Sequence, residues 1–363
     1  MKKFKLILFA AVLLLVTVGC SSTTDSASED GVILIVNGNL GDLGFFDSAN
    51  EGMKRVEKDL GLPIQVIETG SDESKWEPAL ADAAEEKAKI IIAVSPSMVD
   101  PIQQIAPQYP DKTFILIDNA VDYSKGNLDN VYSATFKQNE GSFLAGALGA
   151  YMTTELPNAD EKPMIGFLGG MDIPPINDFL VGYIEGAKYV NEDIKVVATY
   201  AGDYYDPAKG KELGIALANK GVDVIFPAAG PTGLGTIEAA RETNKYIIGV
   251  DSDQSAMYSN NNKQDIADII ISSMVKRVGD VLFNSVKLHQ EDKLPLGTAE
   301  QLGVKEGAVG LAKNDVFTSS MKPETIAALE EIEQKIVAGE IEVSTAIGMS
   351  TEILNSIKTS VAP

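Results

Sequence analysis

Short runs of β-branched and other apolar residues alternate with helix-period segments along most of the chain. Uninterrupted apolar strands between helices are typical of parallel sheets covered on both faces, so the pattern predicts an α/β fold. The runs that predict strands are Val32–Val36, Ile64–Glu68, Ile90–Val94, Phe114–Asp118, Met164–Leu168, Lys195–Tyr200, Val222–Phe226 and Tyr246–Val250.

This strand–helix pattern occurs twice along the chain. Four units end near Asp118, and four more run from Met164 to Asp251. The sequence therefore predicts two doubly wound, Rossmann-like lobes rather than one large sheet.

Local signals predict where several helices lie. Ser48 with Glu51 predicts a capping box, and Asp206 before Pro207 predicts an N-cap followed by a first-turn proline. Residues 143–152 are apolar but too short and too rich in Gly and Ala to span a bilayer. We expect them to form a buried helix.

The N-terminus has the pattern of a bacterial lipoprotein export signal. Three lysines within the first five residues precede an apolar run over residues 6–18, and Gly19-Cys20 follows. We predict a signal peptide over residues 1–19, acylation of Cys20, and a flexible polar tether over residues 20–30. The lipid would hold the protein on the outer face of the cell membrane. The alternative is an ordinary signal peptide with an incidental cysteine, since Thr17 stands where lipoprotein signals usually have leucine.

Composition excludes several functions. The net charge of −22 argues against binding nucleic acid and against docking on anionic lipid through basic residues. A Ser-His-Asp triad or a histidine-based zinc site would have to include His289, the single histidine, which we expect to be a solvated surface residue. Asp251-x-Asp253 begins like a calcium loop, but Ala256 and Asn262 occupy the positions of the required Gly and Glu. We predict no catalytic residue, no metal site and no cofactor.

Ligands of open α/β sheets bind outside the carboxyl ends of the strands. The loops at those ends carry the polar residues and glycines that we predict to bind ligand, which are Asp42, Ser95, Asp118, Asn119, Gly230, Gly233 and Asp251. The loop beginning at Gly230 lacks the lysine of a phosphate-binding loop, so we expect its glycines to allow close approach of a neutral ligand.

Aromatic residues also follow predicted strands. Phe45-Phe46 lie in a loop of the first half and Tyr204-Tyr205 in a loop of the second, while Trp76 begins a helix facing the same side. Two such pairs would close on a planar ring from both faces, a geometry that contributes about 0.5–1.5 kcal/mol per stacked pair beyond burial. We predict that Phe45, Phe46, Tyr204 and Trp76 contact the ligand. The alternative for each is an aromatic lid over the core.

Six segments carry a resemblance to the basic membrane protein family, surface lipoproteins similar to the purine nucleoside receptor A of spirochaetes. The segments are Glu140-Gly-Ser-Phe-Leu-Ala-Gly146, Gly169-Gly-Met-Asp-Ile-Pro174, Gly186-Ala-Lys-Tyr-Val-Asn191, Asp206-Pro-Ala-Lys-Gly210, Ile248-Gly-Val-Asp-Ser-Asp-Gln254 and Ser273-Met-Val-Lys-Arg-Val278. The resemblance implies a type I periplasmic-binding-protein fold with a hinge and a ligand cleft. It also implies an ABC permease with its ATPase as partners, usually for nucleoside uptake.

The resemblance also implies roles for individual residues. Phe45 and Tyr204 match the family's two stacking aromatics, Asp251 matches its ribose-binding aspartate, and Lys276 matches the partner lysine. We expect Lys276 to lie on a helix, where it reaches the hydroxyls or holds Asp251 ionised.

Other positions depart from the family pattern. Asn37 follows the first strand where the family has an aspartate, Phe46 replaces an asparagine, and Pro227 stands where a histidine is common. The hydroxyl-binding end of the site is therefore retained and the base-reading end altered, so that another ring ligand such as riboflavin is an alternative to a nucleoside.

The two lobes must exchange chain at a hinge. We predict a first lobe of residues 31–134 plus about 252–306 and a second of residues 135–251 plus about 307–345, with crossings near Ala134, near Asp251 and further downstream. The predicted function is a lipid-anchored solute-binding protein that delivers a nucleoside, or a related ring-bearing solute, to an ABC importer. The alternatives are a carboxylate-only nucleoside-processing enzyme and a surface receptor without transport.

Overall fold

A computed structural model describes residues 31–155 and 163–363 of the chain. The predicted signal peptide, Cys20 and the tether lie outside these residues. Within the two described ranges, no helix combines the length and the apolar character needed to cross a bilayer.

The strands of the described residues form two separate six-stranded sheets, as predicted for two lobes. The strands are β1 Val32–Val36, β2 Ile64–Glu68, β3 Ile90–Val94, β4 Thr113–Ile117, β5 Val131–Phe136, β6 Met164–Gly169, β7 Lys195–Tyr200, β8 Val224–Ala228, β9 Tyr246–Asp251, β10 Ile270–Lys276, β11 Thr298–Leu302 and β12 Val309–Leu311. The first sheet has the order β11-β5-β4-β3-β1-β2, and the second has the order β12-β10-β9-β8-β6-β7. All pairs are parallel except the antiparallel pair of β10 and β12.

Helices cover both faces of each sheet. The helices are α1 Phe45–Leu60, α2 Trp76–Glu85, α3 Val99–Ile105, α4 Gln138–Glu155, α5 Pro174–Val190, α6 Pro207–Asn219, α7 Gly230–Thr243, α8 Gln254–Asn260, α9 Gln264–Ala267, α10 Val278–Gln290, α11 Asp315–Ser320, α12 Pro323–Ala338 and α13 Thr351–Ser360. Alternate residues of β1 show the two-sided burial: Leu34 packs into the same cluster as Met53 of α1, whereas Ile33 packs with Leu80 of α2. This arrangement explains the uninterrupted apolar strands.

The predicted buried helix is confirmed as part of α4, which packs tightly on α5. The backbones approach so closely that a β-carbon on Gly186 would lie 1.8 Å from the Phe143 carbonyl oxygen. The same holds at Gly146, where a β-carbon would lie 2.0 Å from the Tyr183 carbonyl oxygen. Only glycine permits the two backbones to approach this closely, so these glycines hold α4 against α5.

All eight predicted strands are confirmed, with shifts of one or two residues at some ends. The prediction missed β5, β10, β11 and β12. Strand β11 is an edge strand whose residues are mostly exposed, so its sequence Thr-Ala-Glu-Gln-Leu lacks the apolar run of a buried strand. In β10, the buried Ser272 and Ser273 interrupt the apolar pattern.

Within the part of the chain that the structure describes, the backbone passes between the lobes three times, and one predicted crossing is wrong. The first passage lies at Lys137, between β5 and α4, and the last at residues 303–308, between β11 and β12. The second lies at Arg277 rather than near Asp251, because β10 pairs with β9 in the second sheet before α10 packs on α1. Residues 252–276, which the sequence assigned to the first lobe, thus belong to the second, since α8 packs on β9 and β10 and α9 packs on α7.

The capping box predicted at Ser48 is also wrong. Helix α1 begins three residues earlier, at Phe45, and the buried Asp42 carboxylate accepts hydrogen bonds from the Phe46 and Asp47 N–H groups. By contrast, the cap at Asp206 is confirmed: its carboxylate accepts from the Lys209 N–H, and Pro207 opens α6.

Candidate ligand-binding site

The carboxyl ends of three neighbouring strands form the first lobe's wall of the cleft. Continuing the β1–β3 register by two residues places Asn37 beside Ser95, and continuing the β3–β4 register by one places Ser95 beside Asp118. Ser95 and Asp118 have positive φ angles of 101° and 81°, a region that non-glycine residues rarely occupy. Such backbone strain concentrates at functional sites.

The loop after β1 carries Phe45 and Phe46, whose rings meet edge to face with centroids 5.4 Å apart. Phe46 is a core residue, 7% exposed, and packs against the backbone at Gly38. Phe45 is only partly buried and lies closer to the cleft. Of the two adjacent aromatics, Phe45 is therefore the one placed to contact a ligand.

The second lobe contributes Tyr204 from the loop after β7. Its ring lies against Gly170, where a β-carbon would come within 2.3 Å of the ring. Burial raises the pKa of the Tyr204 hydroxyl, and the nearby Asp118 and Asp251 carboxylates raise it further. Since Asp118 belongs to the first lobe, Tyr204 lies where the two lobes meet.

Lys276 joins the lobes by a buried ion pair with Asp118, whereas the resemblance led us to expect that it reaches the ligand's hydroxyls or holds Asp251 ionised. The Lys276 Nζ lies 2.5 Å from Oδ1 of Asp118, and both side chains are 12% exposed or less. Lys276 is the last residue of β10, not a helix residue as predicted. The Nζ also lies 5.3 Å from the ring centroids of Phe45, Phe136 and Phe179, within cation–π range.

Asp251 ends β9 with a φ of 65°, and its side chain lies close to Gly44 of the opposite lobe. Burial raises the pKa of Asp251 to about 7; Lys276 opposes that shift, while Asp118 and Asp42 add to it. No side-chain hydrogen bond or ion pair of Asp251 occurs among the described residues. Its carboxylate is therefore available to a ligand in the cleft.

Further hydrogen bonds hold the lobes together around this site. Each joins a side chain of the second lobe to a backbone carbonyl of the first: Tyr205 Oη to Asn37 O at 3.2 Å, Ser252 Oγ to Gly44 O at 3.1 Å, and Gln254 Nε2 to Leu43 O at 3.1 Å. The cleft is therefore closed in this structure.

Several predicted residues have structural contacts that occupy their polar groups. The Asp42 oxygens accept three backbone N–H groups of their own loop and helix, including that of Gly44. The Trp76 indole N–H donates to the Gly70 carbonyl at 3.0 Å, and the Asn119 Oδ1 accepts from the next residue's N–H. Of the glycines, Gly230 has a φ of 53° beside Tyr204, whereas Gly233 lies buried within α7.

Two site residues, Phe136 and Phe179, were not predicted. Phe136 ends β5, a strand that the sequence pattern missed, and Phe179 lies inside α5, where an aromatic residue is ordinarily part of the core. His289 also differs from expectation, because it is half-buried and its Nε2 lies 3.0 Å from Thr113 Oγ1. That contact joins the start of β4 to the last turn of α10.

A pocket of about 350 Å³ opens between the lobes next to Asp251, lined in part by Arg55, Arg277 and Lys313. The neighbouring Asp253 caps α8, and its Oδ1 accepts from both the Ala256 N–H and the Asn314 side chain. Among the described residues, no group of three or more His, Cys, Asp or Glu side chains is arranged to hold a metal ion.

The chain is similar to known proteins over nearly its whole length. A family profile described as ABC transporter substrate-binding protein PnrA-like matches residues 30–346. Basic membrane protein D of Borreliella burgdorferi (strain JD1) is 32% identical over 336 residues, covering 92% of this chain and 93% of that protein. A Lactococcus lactis subsp. cremoris protein named ABC transporter nucleoside-binding protein BmpA is 30% identical over 338 residues, covering 90% and 91%.

Solved structures show the same architecture. An ABC transporter system solute-binding protein from Aeropyrum pernix K1 matches with a TM-score of 0.78 and 26% identity, covering 92% of this chain and 99% of that one. A second solute-binding protein, from Conexibacter woesei, matches with a TM-score of 0.70 at 20% identity. The predicted two-lobe periplasmic-binding-protein fold is thus confirmed.

Proposed function

This chain belongs to the PnrA-like family of ABC transporter substrate-binding proteins, and from that premise we propose that it captures a nucleoside, in the first place a purine nucleoside, for an ABC importer. The ligand lies in the cleft between the lobes, with its ring near Phe45 and Tyr204. The permease and its ATPase are the proposed partners.

The observation that carries this proposal is the position of Asp251. Its carboxylate lies at a strand end in the closed cleft and has no side-chain partner among residues 31–155 and 163–363, while Lys276 pairs with Asp118. An ionised carboxylate accepts hydrogen bonds from two adjacent hydroxyls, as a ribose offers. Aromatic rings on the two lobes supply the complementary surface for a heterocycle.

The carboxylate positions favour binding over catalysis. Hydrolysis of a nucleoside would need an acid and a base on either side of the scissile bond. Here Asp118 is engaged by Lys276, Asp253 caps a helix, and Asp42 binds its own backbone. Of these four carboxylates, only that of Asp251 has no partner in the described part of the chain, so a binding role accounts for the arrangement better than turnover.

Calorimetry tests the ligand class directly. Purine and pyrimidine nucleosides, free bases, ribose and riboflavin should be titrated into protein that has been unfolded and refolded to remove retained ligand. We expect purine nucleosides to bind with a dissociation constant of about 1 μM or tighter, or about −8 kcal/mol. Chromatography of the same mixtures should recover the ligand unchanged. Binding of free ribose without dependence on the ring, or cleavage of the nucleoside, would contradict the proposal.

The anchor is proposed from the sequence of the N-terminus. Substitution Cys20→Ser removes the thiol that would be acylated, so we expect the variant to leave the membrane fraction and appear in the soluble exported fraction. Fractionation followed by immunodetection measures this. Identical soluble behaviour of both forms would mean that Thr17 defeats the lipoprotein signal.

Ligand affinity should rise with pH across neutrality. Asp251 has a pKa of about 7 in the folded protein and accepts hydroxyl hydrogen bonds best when ionised. If only the ionised form binds ligand, the affinity should be about tenfold higher at pH 8 than at pH 6.

The stability of the ligand-free protein should change in the opposite direction. Because folding raises the pKa of Asp251, the protonated carboxyl stabilises the folded state, and this contribution to the free energy of unfolding is lost as pH rises from about 4 to 7.

The matched control for this profile is Asp251→Asn, which keeps the side-chain shape and cannot ionise. Calorimetry at pH 6, 7 and 8 should show a flat affinity profile for the variant. An unchanged slope in Asp251→Asn would assign the pH dependence to another group.

A further inference from the structure

The C-terminal helix α13 lies beyond residue 346, where the match to the family profile ends, so the family assignment leaves its role open. It packs on α5 of the second lobe. Val361, the residue that follows it, is 1% exposed and belongs to the same apolar cluster as Leu180 of α5. Chain ends usually fray unless contacts hold them in place. The end of this chain is therefore a fixed part of the second lobe.

The end of α13 also covers strand β7, which lies at the edge of the second sheet. The Val361 carbonyl accepts a hydrogen bond of 2.9 Å from the Val196 N–H, near the start of β7. An edge strand has a neighbouring strand on one side only, so contacts on its free side help to fix it. The position of β7 matters for the cleft because the loop after this strand carries Tyr204.

Lys358 of α13 contacts the other end of β7, where the strand meets the cleft loops. Its Nζ lies 4.7 Å from the centroid of the Tyr200 ring, within cation–π range, and 3.4 Å from Oδ1 of Asp172. Tyr200 is the last residue of β7, and Asp172 lies in the loop after β6. One lysine thus contacts the carboxyl ends of two neighbouring strands.

Asn177 of α5 joins these side chains to each other. Its Nδ2 donates to Asp172 Oδ1 at 2.8 Å, and its Oδ1 accepts from the Tyr200 hydroxyl. Asn177 is 4% exposed and lies two residues before Phe179, a cleft residue. We refer to Lys358, Asp172, Tyr200 and Asn177 as the Lys358 cluster. It connects α13 to α5 and to the loops after β6 and β7.

Backbone hydrogen bonds connect this cluster to Tyr204. The Ala201 N–H donates to the Gly169 carbonyl at 2.9 Å, and the Gly202 N–H donates to the Gly170 carbonyl at 2.8 Å. The two loops are therefore paired beyond the strand ends. The Tyr204 ring lies against Gly170. A shift of the cluster would thus move the surface on which the Tyr204 ring packs.

We propose that the C-terminal helix, through Lys358, positions Tyr204 for the ligand; this rests on the proposed function. Lys358 is a positioning residue, because it acts on the ligand through Asp172, Tyr200 and the two loops. The ion pair with Asp172 is partly exposed, with 21% and 59% of the two side chains accessible, so the effect of removing it should be moderate.

Hydrogen exchange of the ligand-free protein tests this positioning without a ligand. Lys358→Met keeps an apolar stem beside Tyr200 and removes the charge. Because the charge helps to hold the loops, we expect the amides of residues 201–204 to exchange about three- to tenfold faster in this variant. Lys358→Arg keeps both the charge and the cation–π contact, so these amides should exchange as in the unmodified protein.

Lys335→Met is the matched control. Lys335 lies on α12, pairs with Glu331 at 2.7 Å, and contacts the Tyr189 hydroxyl, so it also combines a carboxylate and a tyrosine on the surface. Its contacts do not include the loops after β6 and β7. The exchange of residues 201–204 should therefore be unchanged in Lys335→Met.

Calorimetry with adenosine tests the consequence for binding. Lys358→Met should weaken binding by about three- to fivefold, and Lys358→Arg should restore the affinity. In a Tyr204→Leu background, the same lysine substitution should change the affinity by less than about 1.5-fold, because the residue through which Lys358 acts is gone. A general loss of stability would weaken binding equally in both backgrounds.

Two results would overturn this inference while leaving the proposed function intact. One is unchanged hydrogen exchange of residues 201–204 in Lys358→Met, and the other is an equal loss of adenosine affinity with and without the Tyr204 ring. If the unmodified protein binds no nucleoside, the proposed function is wrong, and the hydrogen-exchange result still decides whether Lys358 positions the loop.

Discussion

Substituting Lys276 with methionine should both destabilise the protein and abolish tight ligand binding. Methionine keeps the apolar stem among Phe45, Phe136 and Phe179 but removes the charge that pairs with Asp118 across the cleft. Removing one partner of a buried ion pair leaves the other charge uncompensated, which typically costs about 3–5 kcal/mol. Thermal unfolding and calorimetry of ligand binding measure the two effects.

The destabilisation caused by Lys276→Met should depend on pH, which gives a second test. Burial already raises the pKa of Asp118, and Lys276 opposes the rise. Without the lysine, the pKa of Asp118 should rise further. Protonation of the carboxyl at low pH then removes the uncompensated buried charge that destabilises the variant. The destabilisation should therefore be larger at pH 8 than at pH 5.

The double variant Lys276→Met with Asp118→Asn separates stability from binding. It removes both charges, so most of the lost stability should return, since replacing a buried pair as a whole is often neutral. Ligand affinity should stay low, because closure then lacks its link between lobes. A single Lys276→Met variant that melts and binds like the unmodified protein would show that the ion pair has no part in closure.

Substitution Asp251→Ala should weaken a ribonucleoside by about tenfold to a hundredfold or more. Each charge-assisted hydrogen bond to the carboxylate contributes roughly 1.5–3 kcal/mol in a cleft that excludes water. A 2′-deoxynucleoside already lacks one hydroxyl partner, so its affinity should fall much less. Calorimetry with both ligands on both proteins measures this difference.

The control for the sugar effect is Phe45→Ala. Stacking on the ring does not sense the 2′-hydroxyl, so this variant should weaken the ribonucleoside and the deoxynucleoside about equally. The alternative role for Asp251 is structural, at the turn after β9. A lower melting temperature with unchanged ribonucleoside affinity in Asp251→Ala would support that role and place the sugar elsewhere.

Much of the fold follows from local pattern. Strands such as β1 and β3 are buried on both faces, so they must be uninterrupted apolar runs, and such runs are visible in the sequence. Because parallel strands end at the same edge of a sheet, their order along the chain also indicates that Ser95, Asp118 and Asp251 lie at cleft edges. The apolar pattern does not reveal edge strand β11, because an exposed strand needs no apolar run.

Contacts between the lobes are not visible in the local sequence pattern. Lys276 and Asp118 are 158 residues apart in the chain, and nothing near either residue indicates the other. The family resemblance implied that Lys276 reaches the ligand's hydroxyls or holds Asp251 ionised. The structure assigns Asp118 as its partner, since β10 stays in the second sheet and directs Lys276 towards the first lobe.

The sequence by itself determined the two α/β lobes, the main strands and the strand-end positions of most candidate site residues, because these depend on apolar periodicity and on local capping chemistry. Only the tertiary structure decided where the chain crosses the hinge, which carboxylate Lys276 neutralises, and which polar atoms are left without partners. Those outcomes depend on how the two lobes close on each other. Burial in the closed cleft raises the pKa of Asp251 and leaves Asn37 Oδ1 and Ser95 Oγ without a hydrogen-bond partner among the described residues.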